Sequence, residues 1–567
     1  MQIKKIDNLL ELFFEQYCKK DKKSIFLQSL KEPKKEYTWE DVYLNINKLS
    51  EEISKHIKEG DRCLLVSENR PEWMISDLSI MLSGGVTVPA YTTYTERDYE
   101  YIIDDCTPTI ILISNKIQYE KIINIIPKKG FIKKIISFEN IENIDKKFNL
   151  SIQDIFKRNN SNNKNFSNLK IQRRDMACII YTSGTQGNPK GVMLSHGGIL
   201  NNCEGANQLL KTFISKNPKF LTWLPLSHSY EHTVQFVQIV VGARVFYAES
   251  IDKLIKNMGD CSPEIMTAVP RFYQNLYQKI NASFSKVTGL KKFLVNQTIW
   301  LGKKKLNKQR FSLIENLINF ICEKLVRKKI KKQFGGSLKT FISGGGALDQ
   351  EVGSFLNAIG LPTLQGYGLT ETSPVVSCNS IEDIRVETVG KPFEGNLIKI
   401  ADDGEILVKG ENVMLGYWKN KEETNRVLKD GWLYTGDIGE FDKGFLKITD
   451  RKKDIIITPG GDNISPIKIE NDLNKSDFIE QSLVFGDNKP YLVSLIVLNQ
   501  NNKDITEEQM QQEIDKINKN LSKIEKIKKF LIIKDQFTIE NNMMTPTLKL
   551  KRYKIIKNYH IELEKLF

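Results

Sequence analysis

The chain has 567 residues, too many for one hydrophobic core, so two or three domains are expected. Hydrophobic residues make up 40% and charged residues 27%, as is normal for a soluble protein. No apolar run reaches the length of a membrane span, no secretory signal begins the chain, and no C-x-x-C pair occurs among the eight cysteines. Neither a disulfide framework nor a zinc site is indicated, and a cytoplasmic location is predicted.

Short apolar runs alternate with helical patterns through the first half of the chain. RCLLVSEN, VTVPAY, TIILIS and KKIISF predict strands, and PEWMISDLSIML predicts a helix with Pro71 in its first turn. The first twenty residues have the mixed pattern of an amphipathic helix. Strands alternating with helices form largely parallel sheets covered by helices, so this half predicts layered α/β structure. The polar stretch KRNNSNNKNFSN, residues 157–168, predicts an exposed loop.

The stretch YTSGTQGNPKG, residues 181–191, has the composition of a phosphate-binding loop. Glycines allow the backbone to approach an anion, hydroxyls donate hydrogen bonds, and Lys190 supplies a cation. The nucleotide-hydrolase pattern fails because Lys190 is followed by Gly191, and Pro189 argues against a helix beginning at once. The preceding run, DMACIIY, predicts a buried strand that would place the loop at a strand end. A flexible surface loop remains the alternative interpretation.

The net charge of +14 is concentrated in one window of the chain. Residues 286–332 contain fourteen basic and only two acidic residues, together with the helically spaced apolar stretches FLVNQTIWLG and FSLIENLINFICEKL. A basic amphipathic insertion, about residues 284–333, predicts a helix on an anionic membrane surface. A solvated helical insertion is the main alternative. Nucleic acid is disfavoured because no zinc-finger or RNA-recognition signature is present.

Several later loops carry chemistry-bearing residues after predicted strands. SGGGAL, residues 343–348, permits close approach of a planar ring, and GYGLTETS, residues 366–373, sets a carboxylate beside a hydroxyl, which suits Mg²⁺ bound to phosphate oxygens. Two further charged motifs come later in the chain: YTGD, residues 434–437, which places an acid after a glycine, and DRKKD, residues 450–454. After about residue 450 a small α+β segment is predicted, with a hairpin in SLVFGDNKPYLVSLIVL and a charged helix near residues 505–526.

Together, in this order, these motifs resemble those of the AMP-forming adenylating enzymes, which include acyl-CoA synthetases, peptide-synthetase adenylation domains and beetle luciferases. The resemblance runs nearly end to end, and its most specific pieces are YTSGTQGNPKG, GYGLTETS, GWLYTGD and DRKKDIIITPGGDNISP. The long-chain fatty acyl-CoA synthetase branch fits best because of LPLSHSYEH, VPRFY, SGGGAL, the insertion before SGGG, and TPTLKLKR.

The resemblance implies a large N-terminal adenylating domain, residues 1–450, of layered sheets and helices, and a small mobile α+β domain, residues 451–567. It also implies a role for each matching residue. The phosphates would be bound by Thr182, Ser183, Gly184, Thr185, Lys190 and Thr370, the adenine by Gly345, Gly346 and Tyr367, and the ribose by Asp437 and Arg451. Glu371 would hold Mg²⁺, His228 would lie between the acyl and thioester sites, Lys549 would act in the first half-reaction, and Lys453 would be the hinge.

The implied reaction activates a long-chain fatty acid with ATP and Mg²⁺, giving an acyl-adenylate and pyrophosphate, and then transfers the acyl group to CoA. Mg²⁺ and Lys549 would neutralise charge as the carboxylate attacks the α-phosphate. The small domain would then rotate to admit the thiol. Lys551 rivals Lys549, but the K-x-x-R spacing to Arg552 favours Lys549. Peripheral attachment to the inner face of the cell membrane is also predicted.

Three other functions stay open at this point. An acyl carrier protein, rather than CoA, can accept the acyl group after the same first half-reaction. A catalytically inactive lipid-binding scaffold is disfavoured by the intact acidic and basic positions, and luciferase-like oxidation is disfavoured by the long-chain features. Two positions depart from the family pattern: Gln186 replaces a hydroxyl residue, and Pro459 stands in a loop that commonly lacks proline.

Overall fold

A computed structural model describes residues 2–126, 129–141, 148–158, 170–182, 189–460, 462–499, 502 and 505–567. The helices are α1 Leu9–Lys19, α2 Trp39–Ser54, α3 Pro71–Leu82, α4 Glu96–Cys106, α5 Lys116–Ile123, α6 Ile152–Phe156, α7 His196–Leu210, α8 Ser229–Val240, α9 Leu254–Cys261, α10 Pro270–Ser285, α11 Gly289–Leu306, α12 Leu313–Cys322, α13 Lys328–Gln333, α14 Gln350–Ala358, α15 Lys421–Val427, α16 Pro466–Leu473, α17 Glu507–Asn518, α18 Arg552–Asn558 and α19 His560–Glu564.

The strands are short, and most are buried. They are β1 Ile25–Ser29, β2 Glu36–Thr38, β3 Arg62–Val66, β4 Val86–Ala90, β5 Ile110–Ile113, β6 Lys134–Ser137, β7 Asn149–Ser151, β8 Met176–Thr182, β9 Lys190–Ser195, β10 Lys219–Thr222, β11 Arg244–Tyr247, β12 Ile265–Ala268, β13 Thr340–Ser343, β14 Thr363–Gly368, β15 Val375–Cys378, β16 Lys391–Pro392, β17 Leu397–Ile400, β18 Glu405–Lys409, β19 Gly416–Tyr417, β20 Leu428–Lys429, β21 Trp432–Asp442, β22 Phe445–Arg451, β23 Ile456–Ile457, β24 Asn463–Ile464, β25 Ile479–Phe485, β26 Leu492–Leu498 and β27 Ile527–Ile533.

Two large sheets form the N-terminal region. One has eight strands in the order β19-β9-β8-β4-β3-β5-β6-β7, and the other has nine in the order β16-β15-β14-β13-β12-β10-β11-β1-β2. The central strands of both sheets are parallel. Antiparallel strands lie at both edges of the nine-stranded sheet and at the β19 edge of the eight-stranded sheet. The four strands and the helix predicted in the first half are present as β3 to β6 and α3, and the strand predicted from DMACIIY is present as β8. The predicted α/β architecture is therefore confirmed.

The helices begin where the sequence supplies capping groups. Pro71 occupies the first turn of α3, every residue of which is buried. Capping boxes begin other helices, as in Thr38 with Asp41 at α2 and Ser312 with Glu315 at α12. The amphipathic pattern at the N-terminus forms α1, whose apolar side chains join the main core.

A third sheet and a small C-terminal unit complete the chain. The third sheet has five strands, in which β17, β18, β21 and β20 are consecutive and β22 pairs with β21. In the C-terminal unit, β25 and β26 form the predicted hairpin and β27 pairs parallel to β26, with α16 and α17 in the same core. The charged helix predicted near residues 505–526 is shorter, Glu507–Asn518, because a turn leads from its end into β27.

The C-terminal unit rests against the N-terminal region through polar contacts. Arg271 pairs with Glu480 at 3.2 Å, and Lys475 pairs with Asp349 at 3.1 Å. All eight cysteines are free in the structure, and seven are buried. Searching the described residues finds no helix whose length and hydropathy would let it cross a membrane.

Candidate active site

A cleft of about 3080 Å³ opens between the N-terminal region and the C-terminal unit, and most of the residues singled out from the sequence line it. Strands of the nine-stranded sheet, and the loops that follow them, line part of this cleft. The strands β10, β12, β13 and β14 run parallel, so the loops after their carboxyl ends meet at one edge. Those loops carry His228, Pro270, Gly345 and Thr370, which all line the cleft.

The glycines after β13 leave room at this edge. Gly345 has a φ of +81°, a conformation that favours glycine, and a Cβ built on it would lie 3.7 Å from Cε of Lys549. A Cβ on Gly346 would lie 3.4 Å from Cγ of Pro270. Side chains at these positions would therefore fill space beside Lys549 and Pro270.

A buried carboxylate also lines the cleft. Asp437 pairs directly across the β21–β22 hairpin with Arg451, whose Nε lies 3.4 Å from Oδ1. The hydroxyl of Tyr367 donates to Oδ2 at 2.8 Å. Burial raises the pKa of Asp437, while Arg451 and Tyr367 oppose that rise. The structure thus brings together three predicted site residues from two sheets.

Glu371 and Thr370 lie after β14, in a short 3₁₀ turn. The hydroxyl of Tyr417 donates to Oε1 of Glu371 at 2.9 Å. The hydroxyl of Thr370 is 3.1 Å from that of Ser229, at the start of α8. Both side chains are therefore held by partners from other elements.

Glu371 suits Mg²⁺ by its chemistry. Within the described part of the chain, no hydrogen bond is made to its second oxygen, Oε2, and no cluster of three metal-ligating side chains occurs. A site with one protein carboxylate fits Mg²⁺, which keeps several waters and binds substrate phosphates.

Lys549 reaches the cleft from the C-terminal unit. Its backbone N–H donates to Oγ1 of Thr545 at 3.0 Å, which closes a tight turn. The neighbouring Leu548 packs on a small apolar cluster of the N-terminal region formed by Leu224, Tyr230 and Val269. Lys549 is exposed to the cleft, but the surrounding protein displaces water and Arg451 repels it, so its pKa falls to about 8.

His228 caps the N-terminus of α8 in an unusual way. Its Nδ1 accepts a hydrogen bond of 3.1 Å from the backbone N–H of Tyr230. Burial and the charge of Lys549 lower the pKa of His228 to about 3, so the ring is neutral at pH 7. Because Nδ1 is the acceptor, the proton lies on Nε2.

The phosphate-loop motif begins at the end of β8 and ends at the start of β9, and these two strands pair antiparallel. A strand rather than a helix therefore follows the motif, as predicted. Thr182 pairs with Lys190 across the two strands. Ser183, Gly184, Thr185 and Gln186 lie outside the described residues. Lys190 forms an ion pair with Glu423 of α15 and lies 5.3 Å from the ring centroid of Tyr417. Lys190 is thus engaged by an acidic residue at the edge of the cleft.

Lys453 lies where the C-terminal unit begins, and Arg552 is the first residue of α18, the second-last helix of that unit. Desolvation and the nearby Arg426 and Lys190 lower the pKa of Lys453. Arg552 forms an ion pair with Glu470 and donates to the carbonyl of Val484 at 2.6 Å, so it supports the turn before α18 from within its own domain.

Sequence reasoning missed several residues that support the site. Tyr417 follows a glycine with a φ of +136° in the stretch LGYW, and nothing in that stretch indicates that its hydroxyl reaches Glu371. Asp77 and His232 form a buried pair at 2.8 Å between α3 and the first turn of α8, and Asp77 raises the pKa of His232 to about 10 despite burial. Only tertiary contacts reveal these partners.

Comparison with known proteins shows the family of this chain. The family described as AMP-binding enzyme matches residues 14–418, and its C-terminal domain matches residues 453–567. The chain belongs to the AMP-binding enzyme family. The predicted boundary at residue 450 falls between the two matched ranges and stays a prediction.

Individual relatives cover most of the chain. A long-chain-fatty-acid–CoA ligase of Mycobacterium bovis is 29% identical over 91% of this chain and 89% of the relative. Long-chain-fatty-acid–CoA ligase 5 of Rattus norvegicus is 31% identical over 89% of this chain and 79% of the relative. The crystal structure of the anthranilate CoA ligase AuaEII in complex with anthranoyl-AMP superimposes with a TM-score of 0.76 at 19% identity, covering 98% of this chain and 99% of that one. That likeness shows the fold alone.

Proposed function

We propose that this protein is an AMP-forming long-chain fatty acid:CoA ligase. The observation that carries the proposal is the meeting of Asp437, Tyr367, Glu371, Thr370 and Lys549 around one cleft. These residues come from three separate elements of the N-terminal region and from the C-terminal unit. The names of the relatives at 29–31% identity support a long-chain fatty acid as substrate.

One side of the cleft is apolar and suits an acyl chain. Its lining includes Ala206 and Leu209 of α7, Phe220 of β10, and Val234 and Val237 of α8. A cleft with one apolar side and charged groups elsewhere matches a substrate that has a hydrocarbon tail and a carboxylate. The carboxylate would then lie near His228, which begins α8.

The charged residues suit binding and activation of ATP. Asp437 would accept hydrogen bonds from the ribose hydroxyls, and Thr182 and Lys190 would contact the phosphates with Ser183, Gly184 and Thr185. The glycines Gly345 and Gly346 and the ring of Tyr367 would face the adenine, with Arg451 beside the ribose. These contacts would fix the α-phosphate for in-line attack by the carboxylate.

Charge stabilisation would come from Lys549, Thr370 and a bound cation. The ammonium of Lys549 would donate to oxygens that gain negative charge as the acyl-phosphate bond forms. Glu371 would hold Mg²⁺, which supplies Lewis-acid polarisation of the phosphates when bound. Neutral His228, with its proton on Nε2, would remain uncharged beside that ammonium.

The second half-reaction would transfer the acyl group to the thiol of CoA. We infer that Lys453, which lies where the C-terminal unit begins, is the hinge about which that unit rotates. An acyl carrier protein as acceptor is the second candidate. A lipid-binding scaffold without activity is disfavoured because the carboxylates and Lys549 are all in the cleft.

The test is AMP formation from ATP by the purified protein with short, medium, long and aromatic acids, with and without CoA. We expect AMP only with long-chain acids, and a sharp rise on adding CoA. AMP without CoA stimulation would favour the carrier-protein acceptor. No AMP with any acid would leave either an untested acid or the scaffold. Binding of a non-hydrolysable acyl-adenylate mimic would then favour an untested acid, and failure to bind it would favour the scaffold.

A location in the cytoplasm, at the inner face of the cell membrane, is part of this proposal. The fourteen basic residues between residues 286 and 332 support attraction to anionic lipid. Co-sedimentation with anionic vesicles that falls as salt rises is the expected result, since exposed charges are screened.

A further inference from the structure

The helical insertion exposes several large apolar side chains. In α12, the outward-facing side chains Leu313, Ile314, Leu317 and Phe320 are between 56% and 89% exposed. Their spacing places them along one face of the helix, and Glu315, Ile318, Asn319 and Cys322 occupy the opposite, more buried face. We call the four outward residues Leu313, Ile314, Leu317 and Phe320 the α12 ridge.

The ridge is rigidly supported. The buried guanidinium of Arg327 donates to the carbonyls of Ala358 and Thr298, at 2.9 and 3.0 Å, and to Oδ1 of Asn319 at 2.8 Å. Gly302 of α11 lies against α14, because a Cβ built on it would be 2.4 Å from Cα of Ala358. The ridge is therefore a fixed surface feature of the helical hairpin formed by α11 and α12.

The hairpin carries a strong positive charge around the ridge. Residues 303–332 contain eleven Lys and Arg and two Glu, a net charge of +9 out of the +14 of the whole chain. The lysines cluster at both ends of the ridge, at 303–308 and 324–332, and α12 itself contains none. An apolar face with basic flanks suits an anionic interface whose interior is apolar.

The charge argues against the alternative occupants. A second copy would bring another +9 against this surface, so self-association through the ridge is electrostatically disfavoured. A nucleic acid would neutralise the lysines, but it offers phosphates rather than an apolar phase to four exposed aliphatic and aromatic side chains. A lipid bilayer satisfies both features.

We propose that the α12 ridge inserts into the surface of an anionic lipid bilayer, with the flanking lysines on the lipid headgroups. This goes beyond charge attraction of the basic insertion, because it assigns the contact to four named apolar side chains. It also has a consequence for the cleft, because Lys303, Leu306 and Asn307, at the end of α11, line it. One rim of the cleft would lie at the lipid surface, where long-chain acids partition.

The binding test uses the full chain and extruded vesicles of phosphatidylcholine, with and without phosphatidylglycerol. The ridge variant is Leu313→Ser/Leu317→Ser/Phe320→Ser, and the matched control is Leu397→Ser/Ile561→Ser, which changes exposed apolar residues elsewhere. We expect the wild type and the control to co-sediment with the anionic vesicles. The ridge variant should lose about tenfold or more in partition coefficient, because three apolar side chains leave the interface.

A second variant, Lys328→Gln/Lys329→Gln/Lys332→Gln, separates charge from insertion. It should weaken binding mainly at low salt, whereas the ridge variant should be weak at every salt concentration. Circular dichroism should be unchanged in both, since all of the substituted residues are exposed. Equal vesicle binding by ridge variant and wild type, binding to nucleic acid alone, or self-association that the ridge variant abolishes would overturn the proposal.

The consequence for the cleft rests on the proposed ligase function and is tested apart from binding. AMP formation is measured with a long-chain acid supplied in anionic vesicles or in detergent micelles. We expect the ridge variant to be about tenfold slower with vesicles and unchanged with micelles. No AMP from the wild type with either acid supply would refute the ligase proposal and leave vesicle binding standing. Equal rates of the wild type and the ridge variant with vesicles, or an equal loss by the variant with vesicles and with micelles, would refute entry from the lipid surface.

Discussion

We expect the fall of kcat/KM for ATP at alkaline pH to report the loss of the proton from Lys549. The surrounding protein and Arg451 lower its pKa to about 8, and the charge must be present for it to donate to the developing phosphate charge. A lysine with a lowered pKa loses its proton as pH rises through that value. At pH 9 only about a tenth of Lys549 would remain charged, so kcat/KM for ATP should fall about tenfold per pH unit above 8.

Substitutions of Lys549 should separate the effect of its charge on the rate from the effect of its side-chain length. Lys549→Ala should lower the rate of adenylate formation at pH 7 by about 10²–10³-fold, the usual cost of one such contact, and should remove the limb near pH 8. Lys549→Arg should move the limb above pH 10, because guanidinium stays charged, although the longer head would lower the maximum rate. Transfer to CoA from a supplied acyl-adenylate should be unaffected in both variants.

The matched control is Lys551→Ala, two residues away. The side chain of Lys551 donates to Asn542 within its own domain, so its loss should change the adenylation rate less than about threefold. Rates are measured as pyrophosphate release at subsaturating ATP between pH 6 and 10. A limb near pH 8 that survives in Lys549→Ala, or a large loss in Lys551→Ala alone, would refute the assignment.

Three further substitutions test supporting contacts. Leu548→Ala removes the half-buried contact that seats the Lys549 turn on the N-terminal region, worth about 1 kcal/mol, so adenylation should slow about fivefold while transfer to CoA from acyl-adenylate stays constant. Asp77→Asn leaves the buried His232 without its charged partner, so the free energy of unfolding, measured in urea, should fall by about 3–5 kcal/mol. The loss should be largest below pH 6.5 and should vanish above about pH 10. The reason is that Asp77 raises the pKa of His232 to about 10, so the pair stabilises the fold only while the imidazole keeps its proton. Glu423→Gln frees Lys190 from a partly exposed ion pair, so KM for ATP should fall by up to about fivefold; an increase in KM would show that Glu423 orients the lysine.

The local elements were predictable because each depends on neighbouring residues. Alternating apolar runs and turn residues predicted β3 to β6, and Pro71 marked the start of α3. The hairpin of β25 and β26 was predicted for the same reason. The helix predicted near residues 505–526 ended eight residues early, because a polar charged segment carries no marker of where packing stops and β27 begins.

The candidate site was predicted as a set of residues but not as a geometry. Motif order singled out Glu371, Asp437 and Lys549, and all three line one cleft, while their roles stay predictions. The partners Tyr417, Ser229 and Leu548 were missed. They lie in stretches whose local pattern carries no sign of a contact with residues tens or hundreds of positions away.

The sequence by itself determined the α/β class, the positions of several strands and of α3, the charge distribution and the family motifs, since composition and spacing act over a few residues. The tertiary structure alone decided which side chains meet, which are buried and which apolar face is left open. The low pKa of Lys549 arises from crowding and from Arg451, nearly a hundred residues away in the chain. The exposure of the α12 ridge likewise depends on Arg327, which bonds to Asn319 on the opposite face of α12 and to the carbonyl of Ala358, and no local pattern indicates those contacts.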